Sequence, residues 1–246
     1  MRPPVSSGIA LRVWALLLLF GAGLGTARGQ SSDALSAGEI VSAGKVARLG
    51  TEPYFSAVPI GEEIEARMRG KSYKANCTIP FDELRYLSVL HYDLNGNIRR
   101  GEMVCNRLIA DDLLEIFRTL FDARYPIERM VLIDEYDADD ERSMLANNSS
   151  AFNFRFIAGT DKLSNHSRGL AVDINPLYNP CVRRRPDGTL RVSPETARPY
   201  ADRSREFPCK IDAEDLCRRE FLRHGFVWGG DWHSLKDYQH FEKRLE

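Results

Sequence analysis

Within Ser164-Asn-His166-Ser-Arg-Gly169-Leu-Ala171-Val-Asp173-Ile-Asn175, a histidine and an aspartate lie seven positions apart. The later stretch Trp228-Gly-Gly-Asp231-Trp-His233-Ser-Leu-Lys-Asp237-Tyr-Gln-His240-Phe241 adds further imidazoles and carboxylates. His166, Asp173 and His240 make a set of three N/O donors suited to one zinc ion, because catalytic zinc is commonly held by three such side chains with water in the fourth position. Asp237, three residues before His240, could take a proton from that water. His233 competes with His240 as ligand and Asp231 with Asp237 as base. The later pair is preferred because its spacing brings both groups to one locus, with His233 on the rim. Gly169 and Ala171 would let the backbone crowd a metal, and Ser164 and Asn175 could orient the ligands. The lack of thiolates favours a catalytic over a structural site.

Other chemistries lack their residues. There is no GxSxG elbow or SxxK pair, no cysteine in a setting that would lower its pKa, and no phosphate- or dinucleotide-binding glycine pattern. The 246 residues include 34 basic and 35 acidic side chains, so there is no global basic field for nucleic acid and no acidic excess suggesting disorder. Function must therefore come from a local site.

The N-terminus addresses a compartment. Arg2 and Arg12 precede an apolar run over residues 13–20 that passes into small residues, which reads as a cleaved secretory signal over residues 1–29, with an uncleaved membrane anchor as the alternative. No other stretch could span a bilayer. The expectation is an extracytoplasmic protein (periplasmic, cell-envelope or secreted) without stable membrane insertion after signal cleavage. Oxidation is permitted there, and Cys77, Cys105, Cys181, Cys209 and Cys217 allow two disulfides. Cys181 with Cys209 or Cys217 is the preferred pair, since these bracket one loop excursion. Asn76-Cys-Thr78 and Asn147-Asn-Ser-Ser150 hold glycosylation sequons, which would mark accessible loops.

The elements that must position these residues follow from pattern. Residues 30–52, rich in Ser, Ala and Gly, read as a flexible leader, and 53–246 as one domain. Residues 57–68 carry a weak helical pattern ended by Gly70. Residues 84–93 and 101–106 flank the turn signal Asn95-Gly96 and predict a hairpin. The strongest helix is 110–123, where Leu113, Ile116, Phe117, Leu120 and Phe121 recur at helical spacing behind an acidic first turn. After Pro126, residues 127–133 predict a buried strand. Residues 150–157 alternate Phe152, Phe154 and Phe156 with Asn153 and Arg155, a half-buried strand that would turn Arg155 towards a cleft. The acidic run 137–142 lacks a calcium-loop pattern and reads as a solvated loop. Residues 175–208 read as a long, locally basic surface loop, not a helical nucleic-acid reader. A helix within 212–225, N-capped with an acidic first turn, and a short strand at 226–228 lead into the second motif. His91 reads as an exposed strand residue and His224 as a helix C-terminal residue favourable to the dipole.

Ser164-x-His166-x-x-Gly169-x-Ala171-x-Asp173, with Trp228-Gly-Gly-Asp231-Trp and Asp237-x-x-His240-Phe241, resembles the M15 metallopeptidases, a group of D-alanyl-D-alanine carboxypeptidases and L-alanyl-D-glutamate endopeptidases. The resemblance extends more loosely upstream through Asn148-x-Ser-Ala-Phe-Asn-Phe-Arg155, and covers about residues 53–246. It implies an α+β fold, an antiparallel sheet with flanking helices, as in the hedgehog signalling domain. It implies about one zinc ion per chain held by His166, Asp173 and His240, with Asp237 as general base. It also implies an upstream arginine that holds substrate or stabilises the oxyanion; Arg155 is the candidate and Arg142 the alternative. The implied function is a zinc peptidase, of carboxypeptidase or endopeptidase type, acting on peptidoglycan stem or cross-link peptides. The alternative is a non-catalytic, zinc-containing binding module of the hedgehog kind, against which the intact Asp237 argues.

Overall fold

Short helices and strands alternate with long extended segments in the computed structural model, which describes residue 1, residues 36–157 and residues 159–244. The expected signal segment lies outside the described residues. Among those residues no helix is long and apolar enough to cross a membrane.

Helix α1 (Ala43–Leu49) starts at Ser42, whose side chain accepts from the Lys45 amide, a standard N-cap. It lies in the stretch expected as a flexible leader, and for residues 36–52 the structure differs. The Gly38 and Val41 amides donate to the Arg100 and Ile98 carbonyls, and Val41 is buried. One apolar anchor in a Ser- and Gly-rich sequence is enough to dock the segment on the neighbouring strand.

Strand β1 (Ser56–Pro59) and helix α2 (Glu62–Met68) divide the 57–68 pattern between them. β1 pairs with β2 (Leu84–Tyr92), and β2 with β3 (Ile98–Asn106), both antiparallel. This is the expected hairpin, closed by Asp93, which accepts from the Asn95 and Asn97 amides. Helix α3 (Ala110–Asp122) buries Leu113, Ile116, Phe117, Leu120 and Phe121, each worth about 1.5–3 kcal/mol of transfer free energy. Phe121 stacks 5.0 Å from Tyr92 of β2. The other face of the hairpin is covered too, so His91 is buried and not exposed. Its Nδ1 lies 2.7 Å from the Ile127 carbonyl, and burial lowers its pKa to about 4.

Two segments expected as strands, 127–133 and 150–157, are extended but join no ladder beyond isolated bridges. Their amides find partners one at a time. Glu128 N donates to Asn175 Oδ1, Val131 N to Asn148 Oδ1 and Leu132 N to Glu102 Oε1. Phe152 N reaches Val104 O and Phe154 N reaches Ser72 O. Phe152, Asn153 and Phe154 are all buried while Phe156 is exposed, so the alternation holds only in part. Between these segments the acidic run opens a helix, α4 (Asp140–Leu145), capped by Asp139. Asn147 and Asn148 are buried and hydrogen-bonded, so their sequons mark no accessible loop; Asn76 is exposed.

The remaining elements are β4 (Ala171–Asp173), β5 (Cys181–Arg184), β6 (Leu190–Ser193), α5 (Leu216–Arg223), β7 (Phe226–Trp228), β8 (Lys236–Asp237) and β9 (His240–Lys243). The class is α+β, with the antiparallel pairing divided among three small sheets ordered β1-β2-β3, β4-β9-β7 and β6-β5-β8. Residues 181–193 of the basic excursion therefore form a hairpin and not a structureless loop; Asp187-Gly188 is its turn, with Gly188 at φ 84°. Helix α5 is capped by Asp215, three residues later than the acidic stretch begins. All five cysteines are free thiols, so the preferred Cys181 pairing does not form.

Candidate active site

The two motifs meet because β4 and β9 are register partners, with Asp173 directly opposite His240. Residues so placed have Cβ atoms about 4.5–5.5 Å apart. Their strands are anchored from behind: Val172 and Phe241 are fully buried, and Phe241 stacks 4.2 Å from Phe221 of α5. His166 arrives from the tight turn Asn165–Arg168, whose start is capped by Ser164. Gly169 ends that turn at φ 67°, and a Cβ there would sit 2.6 Å from the Asn106 amide nitrogen. Only glycine satisfies both the left-handed backbone and the close approach.

The three side chains form a triangle, with each oxygen of Asp173 facing one imidazole. His166 Nε2 lies 3.2 Å from His240 Nδ1, His240 Nδ1 lies 3.1 Å from Asp173 Oδ1, and His166 Nε2 lies 3.3 Å from Asp173 Oδ2. Zinc–nitrogen distances of ~2.0–2.1 Å in a tetrahedral shell separate donors by ~3.3–3.4 Å, so the set fits such an ion. The outer nitrogens are tied down as well. His166 Nδ1 lies 2.6 Å from the Ala151 carbonyl, and His240 Nε2 lies 3.3 Å from Glu242 Oε2. Because these oxygens accept, the inward nitrogens keep their lone pairs for a metal. Glu242 is itself held by Asn165 Nδ2 at 2.6 Å, and the His240 hydrogen bond keeps its pKa at about 2. Burial works against charge on His240, but hydrogen bonds to Asp173 and Glu242 outweigh it and raise its pKa. Burial likewise opposes ionisation of Asp173, and the two imidazoles overcome it.

The triangle lines a cavity of about 600 Å³ shared with Asp237, Arg155 and Trp232. Trp232 sits 5.2 Å from the His240 ring. Asp237 lies on β8, directly opposite Cys181 of β5. Burial raises the Asp237 pKa, with Asp173 adding to the effect and the imidazoles opposing it. Asp237 Oδ1 and Gln239 Oε1 have no hydrogen-bond partner. The glycine pair before Asp231 acts by size. A Cβ on Gly229 would lie 2.5 Å from the Asp237 carbonyl oxygen, and one on Gly230 would lie 2.3 Å from the Trp228 ring.

Residues 158–243 match the family model of D-alanyl-D-alanine carboxypeptidases of the M15 group. Over that stretch, about a third of the chain, it is similar to this family. Searches of curated proteins and of solved structures return no match. The family matched is one of peptidases, hydrolases of peptide substrates, and the His166, Asp173 and His240 cluster within the matched residues is one that could hold a metal ion.

Of the residues expected from sequence, His166, Asp173, His240 and Asp237 converge on the cavity. Arg155 lines it too, paired with Asp140 at 2.5 Å. Arg142 does not, since it pairs with Asp137 away from the cavity lining. His233 and Asp231 lie on a separate, shallower hollow, and Asp231 pairs with Arg218. Asn175 orients no ligand; it ties residues 126–128 to the loop after β4. Glu242, Asn165 and Cys181 were not foreseen. Glu242 had a signal, because two residues along a strand return to the same face.

Proposed function

We propose that this protein is an exported zinc peptidase of the M15 kind that hydrolyses peptide bonds in peptidoglycan stem or cross-link peptides. The observation that carries the reading is a donor triangle of zinc dimensions facing the same cavity as a carboxylate, Asp237, that is no part of it. His166, Asp173 and His240 would hold the ion, with Ala151 and Glu242 fixing the imidazoles. Zinc supplies Lewis acidity, lowering the pKa of a bound water towards ~7 and polarising the scissile carbonyl. Asp237 accepts the water's proton as the carbonyl is attacked and returns it to the leaving amine. Its raised pKa makes it a stronger base than an exposed carboxylate. Cys181 stands opposite it in the strand register, and Gly229 lets the backbone of Asp237 approach. Arg155, kept in place by Asp140, would face the charge that develops on the carbonyl oxygen. Trp232 and Leu235 shield the reacting groups from bulk water.

Digestion of purified peptidoglycan by the zinc-loaded mature protein, with fragments identified by mass, tests the reading. Free D-Ala marks a carboxypeptidase and cleavage between L-Ala and D-Glu an endopeptidase. Release of neither from intact, zinc-replete protein overturns it.

A further inference from the structure

The β5–β6 hairpin presents one face to the cavity. Cys181, Arg183, Arg191 and Ser193 line it, whereas Val182, Arg184, Leu190 and Val192 do not. That is the two-residue period of a strand pair. Arg183 and Arg191 are register partners, so two guanidinium groups stand directly opposite one another on the same face, an arrangement that is destabilising in itself. Among the described residues neither makes an ion pair or a side-chain hydrogen bond. Of the acidic groups that share the cavity, Asp140 is paired with Arg155, Asp139 caps α4, Glu242 is held by Asn165 and His240, Asp173 and Asp237 belong to the centre, and Glu141 makes no ion pair with either arginine. By contrast Arg184, on the opposite face, is bonded to the Gly188 carbonyl.

Position relative to the centre is also set. Cys181 opposes Asp237, and Arg183 follows Cys181 by one strand repeat, roughly 6.7 Å. A peptide extended along this wall from Asp237 reaches the arginines within about two residues, at roughly 3.3 Å per residue.

We propose that Arg183 and Arg191 form a carboxylate subsite that selects peptides carrying a free carboxylate next to the bond to be cleaved. The proposal rests on the peptidase reading and specifies its substrate class. Guanidinium pairs bind carboxylates through charge-assisted, often bidentate hydrogen bonds. The carboxylate could be the peptide's C-terminus or the free carboxyl of an acidic residue within it.

The test uses the zinc-loaded protein and three pentapeptides: L-Ala-D-Glu-L-Lys-D-Ala-D-Ala, its C-terminal amide, and its D-Gln analogue. Cleavage kinetics are compared for wild type, Arg183→Gln, Arg191→Gln, the double variant and an Arg184→Gln control; peptide binding is measured by calorimetry in an Asp237→Asn background. Each cavity arginine removed should raise KM and Kd for the free-acid peptide about ten-fold, with kcat within about two-fold and the control unchanged. The effect should shrink at high salt and disappear for whichever neutralised analogue lacks the recognised carboxylate, which identifies the source. Equal affinity of the double variant and wild type for the free acid, or equal losses on all three peptides, overturns the subsite. Unchanged KM with cleavage intact sinks the subsite and leaves the peptidase. Arginine-dependent binding without cleavage in wild type does the reverse.

Discussion

The two walls of the cavity are built to different standards. On the β4-β9-β7 side both imidazoles are doubly fixed: each has an outer partner, and the strands rest on Val172 and Phe241, which are fully buried. On the β6-β5-β8 wall, β8 is two residues long, the hairpin arginines are exposed, and Asp237 Oδ1 is unpartnered. A metal shell tolerates little drift, so its ligands need packing and hydrogen bonds behind them. Groups that exchange protons or meet substrate need atoms left free, and a cleft wall with fewer internal obligations supplies them.

That contrast can be broken in several ways. The largest effect should come from the ligand wall. His166→Ala should lower zinc from about one per chain to near zero by elemental analysis after dialysis, with activity at background. Full zinc retention would remove His166 from the ligand set.

Asp237→Asn should leave zinc in place and reduce kcat by about 10²–10⁴-fold, because it touches only the other wall. pH sharpens this prediction. The base must be ionised, and burial raises its pKa, so wild-type kcat/KM should fall on the acid side at a pH above the usual carboxylate range. That limb should vanish in the Asn variant; an unchanged acid limb would assign it elsewhere.

Glu242→Gln asks whether the outer partner of His240 matters to metal holding. Zinc affinity, read by competition with a chromophoric chelator, should fall about 10–100-fold, while the zinc-saturated protein keeps most of its rate.

The smallest effect is expected from Gly229→Ala, since a Cβ 2.5 Å from the Asp237 carbonyl oxygen must push the base aside without reaching the ligands. The rate should drop about ten-fold at unchanged zinc content. Loss of zinc instead would show that the walls are mechanically coupled.

Sequence patterns were readable where a local rule and the tertiary environment agreed. Helix α3 has one apolar stripe and one buried face, and the β2–β3 hairpin has a turn signal and a continuous ladder. The rules misled where side chains replaced backbone partners. Residues 127–133 are as apolar as a buried strand, yet their amides are answered by Asn148, Asn175 and Glu102, and no periodicity encodes that. In the basic excursion the arginine-rich composition hid the Asp187-Gly188 turn. His91 was misread because exposure depends on a segment, 127–130, that folds back over β2 from far along the chain.

At the centre, residue type and spacing supplied the candidate donors, the candidate bases and the two motifs that carry them, because imidazole and carboxylate chemistry belongs to the side chain wherever it sits. Tertiary structure decided which His and which Asp take part. The Asp173–His240 register brings one pair within bonding distance of the same point, and the tight turn before β4 swings His166 onto it. His233 and Asp231, equal in chemistry, are left on another surface. The same register logic placed Cys181 opposite Asp237 and Arg183 opposite Arg191. Those juxtapositions arise from strand pairing between distant segments, which spacing along a single chain does not contain.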